Sequence, residues 1–253
     1  MHGSARQPSE AGAVPRFFMG SEYALGYELL SVCSLEDRHI PAALDQCMSL
    51  RGRLLDIGCA DGRITAAIAA HFGEVDVIEP NPLLYSLAMS RLSHGRYRLR
   101  GTNDTVAPYS GPYELILASH MLYHVAIEGW GAFFSAMAQQ LDASGEIAVI
   151  LWDRDSEARQ LTLGKAPNRW LCCTEDLYER QERIEKCGLH LRVSHSFTPA
   201  IRPSTIVAAR LILRFLLGRA SHSSSDDDME AMSQRILNHG LSNQQTLTVF
   251  SVK

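Results

Sequence analysis

Leu54-Leu55-Asp56-Ile57-Gly58-Cys59-Ala60-Asp61-Gly62 is the stretch that decides how this chain is read. A short, mostly apolar run enters a tight loop of small residues, and a helical pattern opens directly after it. Gly58 and Gly62 have access to backbone angles closed to other residues and let a ligand approach the main chain. A loop of this kind at the carboxyl end of a first strand lies where open α/β sheets bind their ligands.

Around this stretch, short apolar runs alternate with helical ones, the pattern of βαβ units and a parallel sheet. The runs Arg53–Ile57, Val75–Ile78, Tyr97–Arg100, Leu115–Ala118, Glu146–Leu151, Leu189–Ser196 and Thr246–Val252 predict seven strands. Helices are predicted at Arg63–His71, Pro82–Ser93, Trp130–Leu141, Thr174–Cys187, Ser204–Leu217 and Asp228–His239. The stretch after Trp152 reads as irregular. Residues 1–15 read as a mobile tail, and 16–50, with apolar and aromatic residues at helical spacing, as a helical cap. The remainder divides into a core at 51–155 and a segment at 156–253 holding a substrate-side insert and the last strands, all within one domain of residues 16–253.

Bulk properties narrow the partners. The 253 residues are enough for one large α/β domain, and a net charge of -4 with scattered Lys and Arg gives no footprint for nucleic acid. The longest apolar stretch, Ile206 to Leu217, is interrupted by Arg210 and Arg214 and is too short to cross a bilayer. Six cysteines without a C-x-x-C pair indicate neither zinc nor a disulfide framework, and a cytoplasmic location is expected. The acidic SHSSSDDD run at Ser221–Asp228 is read as a solvated loop rather than a metal site. A monomer or homodimer acting on a small molecule is expected.

The glycine loop has two candidate ligands. A dinucleotide fingerprint places glycine where this chain has Ala60 and Arg63. Asp56 and Asp61 repel a phosphate and favour a cation, and S-adenosylmethionine carries a positive sulfonium and a positive amino group. Glu79, at the tip of the second strand, is placed to accept both hydroxyls of a ribose. Gly101-Thr102-Asn103-Asp104 offers polar groups beside an adenine, with a plain turn as the alternative. These pieces in this order resemble the class I S-adenosylmethionine-dependent methyltransferases over roughly residues 50 to 155. The resemblance implies a Rossmann-like, seven-stranded, mostly parallel sheet with an antiparallel last strand and an N-terminal helical cap. It also implies that Asp56, Gly58, Ala60, Asp61, Glu79, Pro80, Asn103, Asp104 and Ser119 hold the cofactor, which leaves as S-adenosylhomocysteine. The family's usual glycine is Ala60 here.

The fourth strand runs into Ser119-His120-Met121-Leu122-Tyr123-His124-Val125. His120 and His124 thereby leave the sheet edge where a methyl acceptor belongs; their four-residue spacing also suits a metal pair, but no third ligand is evident. The sequence further resembles the histamine N-methyltransferases. In that family a cap aromatic, a second aromatic one turn later and a glutamate nine residues beyond it bind substrate, as Tyr23, Tyr27 and Glu36 are spaced here. Its fourth-strand segment is a glutamine followed by Met-Leu-Tyr-Tyr-Val, so His120 replaces the glutamine and His124 the second tyrosine. Its Asn-Asn-Thr-Leu segment becomes Gln244-Gln245-Thr246-Leu247, placing Gln245 at substrate, while the Glu79-Pro80 pair is shared and a family glutamine becomes Leu84.

The resemblance points to N-methylation of a heterocyclic or aromatic amine; from their own positions and chemistry, His120 or His124 is expected to act as base and Trp152 to complete an apolar wall. O-methylation of a phenol or carboxylic acid, or a non-catalytic cofactor-binding protein, are the alternatives. For Tyr23 and Tyr27 the bland reading is ordinary packing on the sheet, and for Glu36 a solvated acid at a helix start.

Overall fold

The computed structural model describes residues 20–49, 51–103, 110–162, 172–217 and 225–252. Helices α1 (Ser21–Cys33) and α2 (Glu36–Cys47) precede β1 (Arg53–Ile57). Then come α3 (Arg63–Ile68), extended to His71 by one 3-10 turn, β2 (Glu74–Ile78), α4 (Pro82–Leu92), β3 (Arg98–Thr102), β4 (Tyr113–Ser119), α5 (Trp130–Ala138) and β5 (Leu141–Trp152). The second half holds α6 (Glu157–Thr162), α7 (Thr174–Tyr178), α8 (Gln181–Glu185), β6 (Leu189–Phe197), β7 (Ala200–Ile201), α9 (Ile206–Leu217), α10 (Asp226–His239), β8 (Leu241–Ser242) and β9 (Gln245–Val252).

The main sheet has seven strands in the order β3-β2-β1-β4-β5-β9-β6, while β7 and β8 pair separately. All neighbours from β3 to β5 are parallel, and β9 runs antiparallel to both β5 and β6. This is the expected Rossmann-like arrangement. Both faces are covered, so consecutive residues of one strand serve opposite cores and the strands read as unbroken apolar runs. Leu54, Val75, Leu117 and Ile150 face a layer that includes Ile40 and Leu44 of α2, Ile68 of α3 and Leu92 of α4. Leu55, Ile116, Val149 and Phe250 face Trp130 and Phe134 of α5, Leu177 of α7 and Ile184 of α8. A third cluster joins Leu30 of α1, Ala158 of α6, Ile212 and Leu216 of α9 and Ile236 of α10 around Trp152.

Several expectations are corrected. Helix α2 is a core layer, not part of a cap, because Ile40 and Leu44 are fully buried against the sheet. The helix predicted at Thr174–Cys187 is two short helices with a break at Glu179-Arg180, and part of the irregular stretch is α6. Asp226–Asp228 are not loop but the first turn of α10, where acids suit the positive end of the helix dipole. Ser225 caps that turn by accepting the Asp228 N–H at 3.1 Å. Residues 1–15 and 221–224 lie outside the described residues.

Sequence pattern alone does not announce one polar cluster in the sheet. Asp76 of β2 is fully buried, and its carboxylate accepts from Arg100 at 2.6 and 2.5 Å, from Arg53 at 3.3 Å and from the Tyr113 hydroxyl at 2.7 Å. Four donor contacts offset the desolvation of that charge, which explains how an acid sits inside an otherwise apolar strand.

Candidate active site

The carboxyl ends of β1, β2 and β4 surround a cavity of about 220 Å³. In the β1 loop, Gly58 has φ 75°, Ala60 49° and Gly62 73°. A side chain at Gly62 would meet the Ala88 Cα of α4 at 2.9 Å, so the left-handed turn and the close helix both require glycine there. Ala60 accepts the same left-handed geometry at a cost of about 1–2 kcal/mol. The turn aims its N–H into the site, where it donates to Glu79 Oε2 at 2.9 Å.

Glu79 directly follows β2 with both carboxylate oxygens held, the second by the Asn81 N–H at 2.8 Å. Burial raises its pKa to about 7, against the lowering effect of these two bonds. Asn81 in turn caps α4, accepting from the N–H groups of Leu83 at 3.0 Å and Leu84 at 3.2 Å, and its amide donates to Gly20 O at 3.3 Å. One side chain thus ties the acid, the helix behind it and the start of α1 together. Asp56 of β1 is 2% exposed; its Oδ2 accepts the Thr65 hydroxyl at 2.6 Å, whereas Oδ1 is buried with no partner. Desolvation raises its pKa to about 7. The Ser119 hydroxyl at the end of β4 is likewise buried and unpartnered.

The opposite wall is aromatic. Tyr23 and Tyr27 project from α1, and Phe215 of α9 braces them at ring-centroid distances of 5.0 and 6.1 Å. His120 and His124 line the same cavity, the latter with its pKa pushed down to about 4 by burial. His120 has φ 53° and His124 ends a 3-10 turn, Leu122–His124, so the two do not share one helical face. Glu36, Trp152 and Gln245 form a layer behind His120 rather than the cavity lining. The Glu36 Oε1 lies 3.6 Å from His120 Nε2 and accepts from the amides of Gln245 and, at 2.8 Å, Asn243. The Trp152 ring centroid lies 5.9 Å from that of His120.

Of the sequence-predicted cofactor residues, Asp56, Gly58, Ala60, Glu79, Pro80 and Ser119 meet at the cavity. Asp61 does not. Its carboxylate is buried against Arg63 at 3.1 Å and Arg91 at 2.8 Å, and Arg63 also pairs with Glu28 of α1 at 2.8 Å. Two guanidinium groups cancel the charge that was expected to favour a cationic ligand, and Asp61 anchors the loop instead. Asn103 is exposed and does not line the cavity, and Asp104 lies outside the described residues. Tyr123, Phe215 and Asn243 were missed. Tyr123 stood inside the quoted fourth-strand segment, whereas nothing local marks the other two.

These features fit S-adenosylmethionine. Glu79 keeps lone pairs for ribose hydroxyls beyond the two it gives to backbone N–H groups, and Asp56 Oδ1 and Ser119 Oγ are buried polar atoms awaiting partners. Bound there, the cofactor supplies an electrophilic methyl group.

Comparison with known proteins agrees with the geometry. Residues 35–184, more than half of the chain, match the model of a family described as a methyltransferase domain. A ubiquinone biosynthesis O-methyltransferase of Xylella fastidiosa is 31% identical over 121 residues, 46% of this chain and 48% of that protein. The chain thus matches about half the length of its curated relatives. Among solved structures, a TehB-like S-adenosylmethionine-dependent methyltransferase from Corynebacterium glutamicum superposes with a TM-score of 0.54 at 15% identity, covering 91% of this chain and 96% of that one. A Haemonchus contortus phosphoethanolamine N-methyltransferase bound to S-adenosylhomocysteine gives 0.57 at 15% identity, over 94% of this chain and 59% of that one. The cyclase SpnF gives 0.59 at 15%, over 96% and 99%. At such identity the structures establish the fold, and the presence of a cyclase among them shows that the fold does not dictate the reaction. The chain belongs to the family of methyltransferase domains.

Proposed function

We propose that the chain N-methylates a small heterocyclic or aromatic amine. The observation that carries this reading is the wall facing the glycine loop, where Tyr23 and Tyr27 stand beside a histidine that burial keeps uncharged. Flat rings in a dry pocket suit a planar acceptor, which stacks or meets them edge-on. The desolvation that takes His124 down to about 4 also disfavours the charged form of an amine bound beside it. The attacking nitrogen is then held unprotonated, with its lone pair available, and no strong base is required. Glu36 and Gln245 act from behind His120, orienting that wall. The resemblance of Tyr23, Tyr27, Glu36 and Gln245 to the spacing of histamine N-methyltransferases supports the same reading. The His120 and His124 replacements argue for an acceptor other than histamine.

The cavity of about 220 Å³ is smaller than the roughly 300–1,000 Å³ usual for small-molecule sites. Helix α1 supplies its aromatic wall, so α1 moves outward when cofactor and acceptor load together and excludes water when it returns. Residues 16–253 act as one domain in this reading. No described helix is long and apolar enough to cross a membrane.

O-methylation is the second reading, favoured by the Xylella fastidiosa relatives, which are O-methyltransferases. Incubation with methyl-labelled S-adenosylmethionine and matched panels of heteroaromatic amines, catechols and aromatic carboxylic acids separates the two. Label on nitrogen supports the first reading, and label on oxygen alone replaces it with the second. Cofactor binding without transfer to any panel counts against both and favours a non-catalytic binding protein.

A further inference from the structure

His120 sits between a hydroxyl that hydrogen-bonds one ring nitrogen and a carboxylate that faces the other. Tyr123 Oη accepts the Trp152 backbone N–H at 2.7 Å and lies 3.1 Å from His120 Nδ1. Because one side of the hydroxyl oxygen already receives a proton, its own O–H points to Nδ1, the partner the structure gives it. On the far side of the ring, the buried Nε2 faces Glu36 Oε1 at 3.6 Å, beyond hydrogen-bond length, with the Gln245 amide beside it. The Glu36 oxygen also collects the amide N–H groups of Asn243 and Gln245.

We propose that Tyr123 is a positioning residue that locks neutral His120 with its proton on Nε2, so that the Nε2–H faces the Glu36 carboxylate and His120 does not serve as a base. Two independent penalties oppose the other tautomer. It leaves the buried Tyr123 proton unpaired, and it points the Nε2 lone pair at a carboxylate. The unpaired hydroxyl alone disfavours that tautomer by about fivefold or more. The rings of His120 and Tyr123 lie nearly parallel, 22° between planes with centroids 5.7 Å apart, and Trp152 packs on both, so the ring is not free to turn over. The charged or titratable groups facing His120 are Glu36 from α2 and Tyr123 from its own turn; Trp152 of β5 and Gln245 of β9 carry no charge. Burial lowers the His120 pKa, which keeps the ring neutral. The reading deepens the proposed function by removing His120 from proton transfer, but the lock itself does not depend on which acceptor is methylated.

An amide carries one donor and one acceptor in fixed positions, as the locked imidazole does, so glutamine at this position imitates the lock while having no titration. The test is the nitrogen NMR spectrum of the histidine-labelled full chain, read for wild type and Tyr123→Phe, with His120→Ala identifying the resonances. Wild type is expected to show protonated Nε2 and unprotonated Nδ1 from pH 6 to 8, and Tyr123→Phe to show a mixture of tautomers. Protonated Nδ1 in wild type, or an unchanged spectrum in Tyr123→Phe, overturns the lock. In transfer assays with whichever panel compound accepts methyl, the shape of the kcat profile between pH 6 and 8 is expected to be the same in wild type and His120→Gln, because a locked neutral imidazole adds no titrating limb there. A limb in wild type that His120→Gln abolishes makes His120 a base and overturns the proposal. A failed panel screen alongside the expected spectrum sinks the proposed acceptor class and leaves the lock standing.

Discussion

Asp56 and Asp76 are both buried in neighbouring strands of one sheet, yet their surroundings are opposite. Asp76 is met by Arg53, Arg100 and the Tyr113 hydroxyl. Asp56 has only the Thr65 hydroxyl, keeps one oxygen without a partner, and has its pKa raised to about 7. A fold with arginines to spare for Asp76 and for Asp61 has placed none at Asp56. An acid neutralised from within holds the structure together; an acid left without a counter-charge in a cavity wall is, in the proposed function, available to a ligand.

Breaking the compensated side gives the largest effect. Asp76→Ala strands two guanidinium groups near a buried hydroxyl and is expected to lower stability by about 3–5 kcal/mol in denaturant titration. Cofactor affinity of the folded fraction should stay within about threefold of wild type. A loss below about 1 kcal/mol would show that the cluster is surface-like and would dissolve the contrast.

The uncompensated side sharpens the contrast through its pH dependence. The Asp56 pKa in the folded protein, about 7, lies above its usual 3.8, so its contribution to stability is full below about pH 4 and is lost as pH rises through 7. Glu79 shifts in the same direction, from 4.5 to about 7. Asp56→Asn removes the Asp56 contribution. Relative to wild type the variant should gain stability between pH 5 and 7, by at most about 1.4 kcal/mol per pH unit, and no further above about pH 8. A difference that is flat with pH would mean that Asp56 is ionised without cost, contrary to this account. His124, with its pKa near 4, contributes no limb to a kcat/KM profile above pH 5, and His124→Gln should leave that part of the profile unchanged.

The smallest expected effect concerns the loop. Ala60 sits at φ 49°, where glycine is unstrained. Ala60→Gly relieves that strain and should raise stability by about 1 kcal/mol, with a melting-temperature gain of a few degrees. A decrease would show that the alanine methyl, 8% exposed and packed beside Ala24 and Leu84, contributes more than the strain costs.

The sheet was legible because strands buried on both faces need unbroken apolar runs, and the β1 loop because its glycines sit where φ turns positive. Boundaries set by helix breaks, such as the one at Glu179-Arg180, left no such mark. Local pattern failed where function depends on partners far along the chain. Asp61 looked like a ligand because Arg91, which neutralises it, stands thirty residues away. Glu36 could be assigned by spacing, but that it lies behind His120 depends on Asn243 and Gln245, more than two hundred residues on. Phe215, which braces both cap tyrosines, belongs to a helix whose apolar period alone reads as ordinary core. Ala60 was visible as a departure from glycine, and only the geometry shows that it nonetheless takes the left-handed turn.

The most direct test of the central claim is calorimetric titration of the chain with S-adenosylhomocysteine, repeated on Glu79→Ala. The account predicts saturable binding to wild type that the substitution weakens about tenfold or more, the worth of hydrogen bonds to a charged carboxylate. Absence of binding to wild type, or equal affinity in the variant, would contradict the assignment of the β1 loop and Glu79 as the cofactor site.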